Sequence, residues 1–261
     1  MQKCYIGSVQ AVSIGNLFNL FLECLVNKSK IIVSLDFPEA NQALDFCKDI
    51  DPKSCKIKVG KELFTKAGPK LIEKLRSLNF KIFLDLKYHD IPNTVAHACR
   101  VAVDLDLWML NVHAAGGRKM MEAAYESLVK SGCSKNRPLL IAVTILTSIS
   151  PEDLTELGIT NSVEEQVLLL SKLAKSAGLD GVVCSGMEAS KLRHELGKDF
   201  CLVTPGIRLD DLNTDDQERI VTPCEAIKAG SNYLVIGRPI TDASNPVDVI
   251  NVINESINSL D

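Results

Sequence analysis

From residue 31 onward the chain repeats one pattern. A short apolar run ends in polar or glycine-containing residues, and a longer stretch of helical periodicity follows. The runs predict strands at Ile31–Asp36, Cys55–Val59, Lys81–Asp85, Leu107–His113, Leu139–Thr144, Gly181–Cys184, Phe200–Thr204 and Tyr233–Ile236. Helical patterns lie between them, near 39–49, 62–78, 93–104, 117–130, 162–177, 187–196, 223–229 and 246–259. Eight strands alternating with eight helices predict an α/β protein, a (β/α)8 TIM barrel forming a single domain over residues 30–261. The strands are apolar on both faces, as parallel strands covered by helices must be. A doubly wound open sheet is the alternative, but it would carry a glycine-rich loop after its first strand. Asp36-Phe37-Pro38 stands there instead.

Composition narrows the picture little, but in useful directions. The chain has 261 residues, 46% hydrophobic and 24% charged, long enough to bury a core without disulfide staples. Nine scattered cysteines, several in strand-like runs, read as reduced thiols acting as small hydrophobes in a cytoplasmic protein. A net charge of −4 argues against nucleic-acid binding and leaves room for an anionic small substrate. No apolar run is long enough to span a membrane. Residues 1–29 read as an N-terminal extension of helical character and unknown role. Their apolar run from Leu17 to Val26 is interrupted by Asn19 and Glu23 and lacks the layout of a signal peptide.

Chemistry concentrates in residues 81–94, KIFLDLKYHDIPNT. The stretch starts as a strand, becomes a charged turn and restarts as a helix at Pro92, a residue suited to a first helical turn. Asp85 and Lys87 are two apart, so on a regular strand they share a face. Taken alone they read equally well as a surface ion pair. The other predicted strand ends tip the balance, because a barrel builds its site there. They supply Asp36, Lys58, Asn111, His113, Thr144, Thr147, Arg208 in Pro205-Gly206-Ile207-Arg208, and Gly237-Arg238. The loops after strands seven and eight are the usual phosphate site, and arginine forks suit phosphate oxygens. Lys58, Asp85, Lys87 and Asp90 then form an alternating row in which each carboxylate favours the ammonium form of its neighbour. Such a lysine is a proton donor, whereas a Schiff base needs a neutral amine. The irregular segment Gly206–Thr222 reads as a lid. His89, His97 and His113 are not spaced as a metal set.

These residues closely resemble the orotidine 5′-phosphate decarboxylase family. The resemblance runs from about residue 31 to the C-terminus through SLDFP (34–38), KVGKELF (58–64), DLKYHDIPNT (85–94), NVHAAGG (111–117), VTPGIR (203–208) and VIGRPI (235–240). It implies conversion of orotidine 5′-phosphate to uridine 5′-phosphate and CO2, without a metal or organic cofactor. Lys87 resembles the acid that protonates C6, and Lys58, Asp85 and Asp90 resemble the rest of its charge network. Asp36 and Lys58 correspond to ribose-binding residues, and Thr147 to a substrate contact. Arg208, Gln217, Gly237 and Arg238 correspond to the phosphate grip. The resemblance also implies a homodimer in which Asp90 and Thr94 complete the partner's site. Three rivals remain: a magnesium-dependent sugar-phosphate enzyme sharing DxKxxD, a Schiff-base aldolase, and a barrel that binds nucleotides without turnover. IPNT after Asp90 speaks against the first.

Overall fold

A computed structural model describes residues 29–131, 137–209 and 221–260. Eight parallel strands close into a barrel in sequence order, with β1 pairing β8. They are β1 (Ile31–Leu35), β2 (Lys56–Gly60), β3 (Ile82–Tyr88), β4 (Met109–His113), β5 (Leu139–Val143), β6 (Gly181–Val183), β7 (Cys201–Thr204) and β8 (Tyr233–Ile236). The helices are α1 (Ala40–Lys48), α2 (Lys61–Ala67), α3 (Pro69–Ser77), α4 (Pro92–Asp104), α5 (Gly117–Lys130) and α6 (Pro151–Glu156), then α7 (Val163–Ser176), α8 (Gly186–Leu196), α9 (Pro223–Lys228), α10 (Arg238–Thr241) and α11 (Pro246–Asn258).

The predicted architecture is therefore the observed one, with three local corrections. The single helix expected over 62–78 is two, α2 and α3. Gly68 between them takes φ +62, and Pro69 has no N–H to carry a helix across the break. The short helices α6 and α10 were not predicted, since one or two turns leave no measurable periodicity. Strand β3 runs on to Tyr88, past the expected end at Asp85. Helix starts are set locally. Ser150, Ser162, Ser185 and Thr222 each cap a helix, and an acid three residues on answers from the side chain.

Two apolar layers hold the barrel together. Outward strand residues such as Val33, Ile57, Leu84 and Leu110 pack under the helices. Ile32, Phe83, Met109, Ile141 and Val203 fill the barrel interior. The strand period of two makes the same inward rows continue at both ends. Toward the C-terminal mouth those rows turn polar, with Ser34, Lys58, Asp85 and Asn111 all buried. Among the described residues all six cysteines are free, and burial pushes the thiols of Cys47, Cys55, Cys99 and Cys201 up to about 12. No described helix is long and apolar enough to cross a membrane. The N-terminal extension lies outside the described residues apart from Ser29.

Candidate active site

The mouth of the barrel opens into a cavity of about 300 Å³. Asp36, Lys58, Asp85, Lys87, Thr147, Arg208, Gly237 and Arg238 all line it, although they come from six different strand ends. Acid and amine groups gather on one side. Lys58 Nζ lies 3.2 Å from Asp85 Oδ2 and 3.7 Å from Asp36 Oδ1. Lys87 Nζ donates to Asp85 Oδ1 at 2.6 Å. Asp36 is further fixed by the Ser34 hydroxyl, which donates to its Oδ2 at 2.8 Å. Asp85 is thus held between two ammonium groups, with a side chain only 11% exposed.

Burial works hardest on Asp85 and opposes its ionisation. The charges of Lys58 and Lys87, with hydrogen bonds from Lys87 and Asn111, outweigh that penalty and hold the carboxyl below the usual carboxylate range. The group is an anion at neutral pH. Deleting one member of such a buried pair strands the other, which costs about 3–5 kcal/mol.

Lys87 reaches Asp85 by a route that strand alternation did not foresee. Its φ is +54, in the left-handed region, at a cost of roughly 1–3 kcal/mol for a non-glycine residue. The ladder to β4 slips here. Leu84 pairs with Leu110 and Tyr88 with Val112, so four steps along β3 match two along β4. The expected contact exists, but a bulge and not a regular strand creates it. Asn111 lies opposite the bulge and is fully buried. Its Oδ1 accepts the Lys87 N–H at 2.8 Å, and its Nδ2 donates to Asp85 Oδ1 at 2.7 Å. The sequence placed Asn111 at a strand end without assigning it work. The signal available was a polar residue at an inward position between apolar neighbours.

Two arginines line the same cavity. Arg208 stands on the loop after β7, and Arg238 opens α10, separated from β8 by Gly237 alone. A Cβ at Gly237 would sit 3.1 Å from Asp36 Oδ2, so a side chain there would press on the Asp36 carboxylate. Thr147 closes the cavity from the loop after β5.

Asp90 and Thr94 do not join this cluster within the chain. Both are exposed, and Asp90 Oδ1 accepts the N–H of Ile91 at 2.6 Å. The row of four charges is therefore a row of three within the chain, because the chain turns outward after the bulge. Gln217 and most of the expected lid lie outside the described residues. His113 and His89 lie beside the cluster with ring centroids 5.6 Å apart and planes tilted by 39°, and neither lines the cavity. Burial, followed by the charges of His89, Lys61 and Lys87, pushes the His113 imidazole below its ordinary value.

Fold and site together define an α/β-barrel protein whose mouth gathers a lysine–aspartate cluster and two arginines around one cavity. Comparison with known proteins narrows this class. A family model described as Orotidine 5′-phosphate decarboxylase / HUMPS family matches residues 29–253, and the chain belongs to that family. It is 58% identical over 228 residues to the orotidine 5′-phosphate decarboxylase of Hydrogenovibrio crunogenus, covering 87% of this chain and 95% of that protein. Over 232 residues it is 56% identical to the enzyme of the same name from Neisseria meningitidis, covering 88% of this chain and 93% of that one. Among solved structures, the orotidine 5′-phosphate decarboxylase of Lactobacillus acidophilus is similar at a TM-score of 0.79 and 40% identity, over 88% of this chain and 99% of that one.

Proposed function

We propose that this chain decarboxylates orotidine 5′-phosphate to uridine 5′-phosphate and CO2, the last step in making that nucleotide, with Lys87 as the proton donor to C6. The observation that carries the reading is the Lys58–Asp85–Lys87 cluster sharing one cavity with Arg208 and Arg238. Relatives bearing this enzyme's name at 56–58% identity support the substrate.

Loss of CO2 leaves an electron pair at C6 in the plane of the ring, where the ring π-system does not delocalise it. The Lys87 ammonium, 2.6 Å from Asp85, supplies both a fixed positive charge for that pair and the proton that quenches it. Asp85 is the partner that aims this amine, and it faces the departing carboxylate. Asp36 and Lys58 bind the ribose hydroxyls, and Thr147 contacts the substrate from the loop after β5. Arg208, Gly237 and Arg238, with Gln217, grip the phosphate. Because the phosphate is remote from the breaking bond, its binding energy is available to organise the charged side. No metal or organic cofactor takes part in this scheme.

The working unit is a cytoplasmic homodimer of the barrel domain, residues 30–261, in which Asp90 and Thr94 enter the partner's site. Support comes from their exposure beside Ile91, which is 66% exposed, at the start of α4. The primary test follows the ultraviolet absorbance of orotidine 5′-phosphate with purified protein, and an unchanged spectrum would refute the activity. The dimer has its own test. Lys87→Ala and Asp90→Ala chains, each inactive alone, regain up to about a quarter of parent activity when mixed, because mixed dimers carry one intact site. Failure to regain activity in verified mixed dimers would return Asp90 to its own subunit.

A further inference from the structure

A lysine aimed at a reacting carbon must be held by its backbone as well as by its charge, and the backbone at Lys87 is under strain. Its φ of +54 lies where the β3–β4 ladder has lost register, so ordinary strand pairing does not hold it. A non-glycine residue stays in that region only when its surroundings over-determine it. The surroundings here include one side chain that answers both needs. Asn111 stands on β4 between Leu110 and Val112, the two residues that flank the slip. It points inward and has no exposed surface.

We infer that Asn111 is the positioning residue for the catalytic lysine, its amide standing in for the missing ladder bond at Lys87 while tying the Asp85 carboxylate to the same point. The inference rests on the function proposed above and adds a residue to it. The carbonyl oxygen takes the Lys87 N–H at 2.8 Å, replacing the backbone acceptor that the bulge removed. The amide nitrogen gives to Asp85 Oδ1 at 2.7 Å, the same oxygen that receives Lys87 Nζ at 2.6 Å. Main chain, carboxylate and ammonium of the Asp85–Lys87 pair thus share one small fixed frame. The two amide faces differ, one acceptor and one donor, and each meets its complement. Alanine offers neither, and aspartate offers only the acceptor.

That difference supplies the test. The ionisable groups facing Asp85 are Lys58 from β2 and Lys87 from its own strand. Asp36 stands behind Lys58, and His113 lies within electrostatic reach from β4. All are unchanged by substitution at 111, so a shifted profile reports the group placed there. In Asn111→Ala, exchange of the Lys87 amide proton, read by NMR, speeds up tenfold or more. Its kcat falls roughly ten- to a hundredfold while KM stays within a few-fold. Asn111→Asp keeps the amide protected, because a carboxylate oxygen still accepts it. It also sets a second carboxylate against Asp85, so the acid limb of kcat moves to higher pH by about one unit or more. Unchanged exchange at Lys87 in the alanine variant overturns the inference, as does an acid limb in the aspartate variant that superimposes on the parent's. Should the alanine variant not fold, the near-isosteric aspartate variant decides alone. A parent enzyme without turnover defeats the proposed function itself, whereas an active parent with indifferent variants defeats only the role of Asn111.

Discussion

Lys56 and Lys58 leave β2 two residues apart, on the same inward face, and enter opposite ends of one barrel. At the mouth, Lys58 stands against the carboxylates of Asp85 and Asp36. At the other pole, Lys56 meets a carbonyl and two aromatic rings. Its Nζ donates to Ser29 O at 2.7 Å and sits 5.2 Å and 5.0 Å from the ring centroids of Trp108 and Tyr233. Those rings pack edge to face against each other. The electrostatic outcomes differ accordingly. At the mouth, paired charges overcome burial, and Asp85 stays ionised. At the pole burial wins, helped by Lys81, and pushes the Lys56 ammonium down to about 8. A buried charge is thus held by its partners at one end and disfavoured by burial at the other.

The comparison is broken most strongly at the mouth. Replacing Lys87 with alanine lowers kcat about 10⁴-fold or more, since the site loses both its proton donor and its fixed charge. Calorimetry still registers binding of uridine 5′-phosphate, because the phosphate grip is intact. Normal turnover in this variant would remove Lys87 from the chemistry. Next in size is Arg238→Ala, which lowers kcat/KM for orotidine 5′-phosphate by roughly 10²-fold or more through loss of charge-assisted hydrogen bonds. The bare nucleoside is affected only a few-fold, and equal losses on the two substrates would count against a phosphate contact.

The smallest effect on activity, and the sharpest contrast, comes from the far pole. Lys56→Met leaves turnover within about twofold of the parent. It changes how stability depends on pH. Folded protein releases the Lys56 proton near pH 8, whereas the unfolded chain holds it to about 10.5. Between those values the unfolded state binds more protons at this site, so the Lys56 contribution to stability rises with pH, by on the order of 3 kcal/mol in all. The buried thiols pull the other way above about pH 9 in both proteins, so urea melts from pH 7 to 11 should show the parent gaining stability relative to the variant. Parallel curves would mean that the amine is hydrated after all.

Much of this was readable without coordinates. Alternation of apolar runs with helical periods predicted the barrel, because buried parallel strands and their covering helices each carry a local signature. The strand-end rule then collected Asp36, Lys58, Asp85, Lys87, Thr147, Arg208, Gly237 and Arg238 as candidates, and the structure brings all of them to one cavity. The bulge was not readable. A slip in register is a relation between β3 and β4, whose paired residues are more than twenty positions apart in the chain. The work of Asn111, marked only as a strand-end residue, was hidden for the same reason, as was the meeting of Lys56 with Trp108 and Tyr233.

By itself, then, the sequence determined the class of fold, the mouth where chemistry collects and the residue types that collect there. These follow from periodicities of two and 3.6 that any short window contains. Tertiary structure alone decided that Lys87 reaches Asp85 through a left-handed bend braced by Asn111, and that Asp90 turns away from its own cluster. Pairing of β3 with β4 sets the bend, since it brings residues more than twenty positions apart in the chain to within a hydrogen bond of each other.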